Sequence, residues 1–518
     1  MIHKPTAGQM WGACIVWHKG TYYLFSEILR PHRSMWTASS ADGIHWKPLG
    51  PVIDNAPFNI YKMFVARCGG RWLLNHGSLS GKRRRHVRWN DTLRFWASDD
   101  LVHWTYLGEK FDLHPDPNWY REQGRCDHMY MIPKVEGRQD DGYWGYCVAT
   151  PNAVEPHKTL GMLESADGAD WRWLPPPAFD WGGVPQQFME VGGCERIDGR
   201  YYLIQGARFG YMGHFGYSTF TFVADQPAGP FRPDLEAYRL CGNSHDLRQL
   251  GYGGKLRNIG VQDLASFGRG DGELLLTNCM VSGWAGVEDV WFAPIKKAIV
   301  DEGGHLRMGY WQGNEALKDR EIPIDLARCE RVHPAIEDAA HTVRAVGNRI
   351  ELTDPRTIYN RHAGGGTIVI LPDCFDMRAG VVLEGTLTLL DTSEDELTHR
   401  IPVSAGFYFE ESPGRGKTVL FETLGITRID RVDYSSGKLA FVREDTTGSG
   451  CATVAGAAEG RTHAFRLLLR LDMFELYLND RLVQAFFISP RPSGRLGLVV
   501  EDGACVFAGV RAWQVTPL

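Results

Sequence analysis

The sequence predicts an all-β chain: a five-bladed β-propeller followed by a C-terminal β-sandwich. Three observations carry this. A turn glycine followed by an aromatic or aliphatic strand returns five times in the first three hundred residues, at Gly20 (HKGTYYLF), Gly70 (CGGRWLLN), Gly142 (DDGYWGYC), Gly199 (IDGRYYLI) and Gly272 (GDGELLLT). The spacing, roughly 50 to 70 residues, suits propeller blades with decorated loops. Long helical periodicity is almost absent. After about Pro323 the texture changes to alternating segments typical of half-buried antiparallel strands.

A chain of 518 residues exceeds a single core, so two domains are expected, with the propeller at 1–323, a connector with a short helix at 324–345, and the sandwich at 346–518. Charged residues at 23% and hydrophobic residues at 43% describe an ordinary globular protein. The net charge of -6 gives no reason to expect nucleic acid or an anionic membrane as partner. The 17 Trp suit either sugar-stacking platforms or, more simply, blade packing. The 11 Cys lie singly, with no CxxC pair, as reduced core thiols rather than a disulfide framework or zinc site. The N-terminal stretch MIHKPTAGQMWGACIVW lacks signal-peptide character and no run approaches membrane-spanning length, which points to a cytoplasmic protein.

Within the propeller, Ser40–Trp46, Ser98–Trp104 and Ser165–Trp171 echo one another, with a looser copy at Phe222–Phe231. A serine and an aspartate close a tight turn in each of the three, and a tryptophan follows to plug the blade. The fifth blade runs through VWFAPIKKAIVDEGGHLRMGYW and ends near Tyr310. In the tail, GTLTLLDT, AGFYFEE, KTVLFET, KLAFVRE and FRLLLRLDMFELYLND alternate, with Phe474, Leu476 and Leu478 set against Glu475, Tyr477 and Asn479. Many such strands suggest a sandwich.

The repeat also works as a ruler. Glu190 precedes Gly199, and Asp263 precedes Gly272, by the same nine residues; in the first and second blades that slot holds Trp11 and Tyr61. In the third blade Asp127 lies fifteen before Gly142, with a polar GRQDD stretch taking up the difference. Asp127, Glu190 and Asp263 are therefore expected at the start of innermost strands, converging on one mouth of the axial pit. Carboxyls with raised and ordinary pKa values, brought together, are what glycosidic bond cleavage requires. A single acid on a strand more often caps a turn or pairs with an arginine. Two in equivalent slots of adjacent blades reverse that preference.

Here the chain resembles glycoside hydrolase families 32, 43 and 68, and its tail FRLLLRLDMFELYLNDRLVQAF is similar to the family 32 sandwich. The resemblance spans nearly the whole chain. Arg125-Cys126-Asp127-His128 approximates the family's Arg-Asp-Pro motif, which implies that Asp127 is the transition-state stabiliser. Glu190-Val191-Gly192 approximates its Glu-Cys-Pro motif, which implies that Glu190 is the general acid/base. The departure lies in the first blade. The family's nucleophile strand carries an Asp, whereas Met10-Trp11-Gly12-Ala13-Cys14-Ile15-Val16 has no carboxylate. Asp263 is the favoured substitute on slot geometry and Glu27 the second. Water activated at longer range would favour an inverting outcome, with carboxyls roughly 6.5–9.5 Å apart.

Trp11, Arg125, His128, Arg208, Tyr211 and His214 are the candidate substrate contacts. The basic run Lys82–His86 with Arg88 reads first as a solvated loop and second as a site for an acidic sugar. GYGGK and HAGGGT lack the strand–loop–helix setting of a phosphate loop. No zinc set is evident and no cofactor is expected, although the resemblance allows a structural calcium. The expected function is glycosidic bond cleavage in a furanosidic or related oligosaccharide. The alternative is a non-catalytic carbohydrate-binding protein on the same scaffold.

Overall fold

The structure is a computed structural model. It describes the chain except residues 1, 29–33, 55, 57, 59, 79–90, 123, 153–158, 185–189, 212–213, 246–258, 283–288, 336–340, 355–365, 391–401, 424, 426, 437–439, 446–461, 489–491 and 516–518. At 139, 208–211, 214–217, 241–245, 259–264, 281, 440–445 and 487 only the backbone is described. The basic run 82–88 and the loop stretches GYGGK and 362–365 lie outside the described residues.

Five antiparallel blades form around an axis. Their innermost strands are Met10–His18, Tyr61–Cys68, Cys126–Val135, Glu190–Ile197 and Ile259–Arg269. Each packs against the next, and the fifth packs against the first, so the ring is closed. The N-terminal segment latches it: Ile2 N donates to Phe292 O at 2.8 Å and Phe292 N to His3 O at 2.8 Å, tying residues ahead of blade one to blade five. The five repeat glycines all have positive φ, from 70° to 86°, a region that costs a side chain energy and glycine nothing. In four blades the glycine turns the innermost hairpin. In the third the turn falls at Glu136-Gly137, and Gly142 lies inside the long partner strand Arg138–Ala149, after a register shift between Arg138 and Tyr143. The polar stretch lengthens the hairpin.

The three serine–aspartate turns form as expected. Gly43 N, Leu101 N and Gly168 N bond to the hydroxyls of Ser40, Ser98 and Ser165 at 2.8–2.9 Å. Leu101 stands at φ 67 where the other copies have glycine. Two of the three tryptophans close their turns, Trp171 Nε1 reaching Gly168 O at 2.7 Å and Trp104 Nε1 reaching Leu101 O at 3.1 Å.

Beyond Tyr310 two sheets face each other across an apolar core containing Phe407, Phe465, Phe474 and Phe507. Lys318–Ile322 pairs with Gly503–Val515, and a short 3-10 turn at Leu326–Arg328 follows. The strand Met473–Leu478 is not half-buried as its alternation predicts; both faces are covered. Phe474, Leu476 and Leu478 enter the sandwich core, while Glu475 and Tyr477 press against the propeller. There Lys296 forms a fully buried ion pair with Glu475, and Lys296 also donates to Asn278 Oδ1 at 2.8 Å. Tyr477 OH donates to the same carboxylate at 2.8 Å. Gly309 pairs with Arg481, so the outer edge of blade five continues into the sandwich.

Nine described cysteines are free thiols, seven of them buried. No helix among the described residues is long and apolar enough to cross a membrane.

Candidate active site

Each of the five innermost strands is interrupted near its start by a register shift against its partner: between Trp11 and Cys14, Tyr61 and Met63, Cys126 and Met129, Val191 and Gly193, and Gln262 and Ser266. A bulge bends a strand and re-aims its side chains. Five bulges at the same end of one ring turn the strand starts toward the axis. Lys62 occupies its bulge at φ 44, and Gly12 at φ 59.

On these bulges the structure gathers a charged cluster. Arg125 bridges two carboxylates: its Nε contacts Asp127, and its Nη2 reaches Glu190 Oε1 at 2.5 Å. The side chains of Arg125, Asp127 and Glu190 are 6%, 1% and 13% exposed, so the pairing takes place away from bulk water. Burial alone would raise the Glu190 carboxyl, but the positive charges of Arg125 and Lys62 outweigh it and hold Glu190 below the usual carboxylate range. Arg125 itself is held charged by Glu190 and Asp127 against the opposing effect of burial.

His128 is buried, and its Nε2 donates to Val191 O at 2.9 Å. Burial, with Lys62 adding, pushes its imidazole down to about 3, so it is neutral. His128 Nδ1 and Glu190 Oε2 are both buried without a hydrogen-bond partner. Such atoms are the natural acceptors for a ligand hydroxyl. Tyr61 completes the cluster. Its phenol is pushed far up by the charge of Glu190, by burial and by Asp127, and Glu27 adds to this. It therefore stays protonated and offers its O–H as a hydrogen-bond donor.

Glu27 was legible only as a second choice, and Lys62 was missed. Glu27 is fully buried and stands directly across from Trp11 in the first blade. Its Oε2 accepts the Lys62 backbone N–H at 3.0 Å. The first-blade slot thus holds Trp11, but its cross-strand partner supplies a carboxylate. The signal for Glu27 was present, sixteen residues after Trp11 in the chain. For Lys62 it was only adjacency to Tyr61.

Asp263 lies within the bulged part of Ile259–Arg269 rather than at the strand's start, and its side chain is outside the described residues. Arg208, Tyr211 and His214 fall in the hairpin Arg200–Tyr211 and His214–Ala224; their side chains are likewise outside the described residues. For calcium, the described residues hold no group of three or more His, Cys, Asp or Glu arranged to bind a metal, so no step is assigned to one.

No family model matches the chain, and no curated protein matches it by sequence. Solved structures do. The Bombyx mori GH32 beta-fructofuranosidase BmSUC1 superposes with a TM-score of 0.59 at 14% identity, covering 99% of this chain and 92% of that one. This is the fold of glycoside hydrolase family 32. The exo-inulinase from Aspergillus awamori gives 0.60 at 11% identity, covering 99% and 97%. The sucrose-6-phosphate hydrolase from Lactobacillus gasseri gives 0.58 at 12%, covering 98% and 91%. The family 32 likeness read from the sequence therefore extends over propeller and sandwich together.

Proposed function

We propose that the protein is a glycoside hydrolase or transglycosidase that cleaves a glycosidic bond in a furanosidic or related oligosaccharide. One observation carries the reading: Glu27, Asp127 and Glu190, from blades one, three and four, are buried around Tyr61 and Arg125 at one end of the axis. Three convergent carboxylates exceed what a capped turn or an isolated ion pair requires. The oligosaccharide class is supported by the similar folds. A variant of the Bombyx mori enzyme was solved with sucrose, and a Schwanniomyces occidentalis fructofuranosidase variant with fructosylnystose.

In this reading Glu190 is the acid/base and Asp127 the stabiliser of the oxocarbenium-like transition state. Without substrate, Arg125 keeps Glu190 ionised. A sugar hydroxyl that takes Arg125 away weakens the main opposition to burial, and the carboxyl rises toward proton-donating range. Tyr61 and neutral His128 bind hydroxyls. Glu27 is the third acid, reached through the cross-strand pair rather than through the first-blade slot.

The test is Glu190→Gln, assayed for sugar release from sucrose, inulin-type oligosaccharides and arabinofuranosides. Turnover by the wild type and its loss in a variant of unchanged fold support the reading; full activity in the variant sinks it. A second reading, a sugar-binding protein on the same scaffold, is favoured by the engagement of both Asp127 and Glu190 by Arg125. It expects saturable binding by calorimetry and no product after long incubation.

A further inference from the structure

The axial channel has two ends, and the carboxylate cluster occupies only one. Three residues further along the same strands the axis is filled with rings: Phe64 and Tyr130 stand 4.1 Å apart between centroids, and Tyr130 and Phe267 6.2 Å. All three are buried. Gly193 lets Tyr130 reach this position, since a Cβ there would sit 2.5 Å from the ring. Beyond this plug a second pit opens, with a volume of about 540 Å³ and walls from all five blades. Arg67 and Arg196 line it, each six residues past Tyr61 and Glu190, about 20 Å along the strands at ~3.3 Å per residue.

Three guanidinium groups, of Arg67, Arg196 and Arg269, and four carboxylates, of Glu136, Glu195, Asp198 and Glu273, line this pit, and Lys297 behind Glu273 makes the charges level. Glu195 is buried on its floor and is held by Tyr130 OH at 2.5 Å and by Arg269, which reaches both oxygens at 2.6 Å. Glu273 is held by Lys297 and by Trp311 Nε1, each at 2.8 Å. Two exposed guanidinium groups, Arg67 and Arg196, and two exposed carboxylates, Glu136 and Asp198, also line the pit, and none of the four has an ion pair among the described residues. Trp72 lies beneath Arg67, whose guanidinium carbon is 6.0 Å from the ring centroid.

We infer that this second pit binds a neutral saccharide, either a monosaccharide or the end residue of an oligosaccharide. A net cationic pit would select an anion, and a net anionic one a cation. Unpaired planar donors and acceptors in equal number suit a molecule whose vicinal hydroxyls donate to one carboxylate and accept from one guanidinium. The volume lies within the range of small-molecule sites. The plug separates this pit from the carboxylate end, so occupancy here leaves hydrolysis untouched.

The experiment compares the wild type with Arg67→Ala/Arg196→Ala, both exposed positions, using D-glucose, D-fructose and D-xylose as probes and D-glucuronate as the charged control. Binding is read by calorimetry and ligand-observed NMR, and oligosaccharide hydrolysis is followed in parallel. The expected result is saturable binding of at least one neutral sugar that falls about tenfold in the double variant, from lost charge-assisted hydrogen bonds, with unchanged thermal midpoint and hydrolysis. No saturable binding, neutral-sugar binding that survives the double substitution at full affinity, or tighter binding of glucuronate than of every neutral sugar overturns the inference. A chain that binds here yet releases no sugar refutes the glycosidase reading alone.

Discussion

Arg125 is the most informative single residue to remove. Replacing it with Met keeps most of its bulk and deletes the one guanidinium that bridges Asp127 and Glu190. Two carboxylates, 1% and 13% exposed, then lose their shared cation. Breaking a buried ion pair from one side costs about 3–5 kcal/mol. The pH dependence distinguishes this cost from a packing defect. In the wild type the Glu190 pKa is depressed, so its contribution to stability is present above the unfolded value near 4.5 and is lost as pH falls. In Arg125→Met burial is the larger remaining influence and pulls the carboxyl upward. The variant then loses stability as pH rises, by up to about 1.4 kcal/mol per pH unit per proton. Thermal midpoints of both proteins from pH 5 to pH 8 are the assay. The gap should be largest at pH 8 and shrink by more than half at pH 5. A gap that stays constant over this range, or the absence of any gap, refutes the electrostatic account of the cluster.

Three other substitutions probe different levels of the structure. His128→Phe removes a buried imidazole whose pKa lies at about 3; because that pKa is depressed, its contribution is present above 6.5 and lost as pH falls, so the variant's stability should decline less steeply between pH 6.5 and 4. Lys296→Met leaves Glu475 buried without its ion-pair partner and should cost about 3–5 kcal/mol, most of it recovered by adding Glu475→Leu, as measured by chemical denaturation. Gly43→Ala places a Cβ 2.7 Å from the Trp311 ring at φ 76 and should lower the thermal midpoint through both strain and displacement of that indole, whereas Gly20→Ala, with nothing within 4 Å of its Cβ, reports the strain alone.

The legible part of this fold was its periodicity. The glycines that turn the blades sit at positive φ because the hairpin needs it, and that requirement is written directly in the sequence. Gly142 shows where such reading stops, because a lengthened hairpin moved the turn five residues earlier without erasing the motif. Within the candidate cluster, Asp127 and Glu190 were legible as acids near the starts of innermost strands, Glu190 from the repeat and Asp127 from the repeat corrected for the GRQDD stretch. It was not legible at Lys62 or in the bulges, since a register shift is decided between two strands and leaves no fixed residue type behind. Glu27 depends on cross-strand pairing in the same way. The pairing of Glu475 with Lys296 was hidden by an alternation that looked like an exposed face. Only the docked propeller reveals that face as an interior.

The strand pairing between Gly309 and Arg481 has a consequence for how the two halves can be separated. Sheet edges invite adventitious pairing with other chains. Here the outermost strand of the last blade spends part of its edge on the sandwich, and the adjoining surface carries Lys296 as a charge neutralised from across the boundary. A propeller cut free of its tail would therefore present a sticky edge and an orphaned ammonium together. Aggregation, rather than a smaller folded unit, is the expected fate of such a fragment.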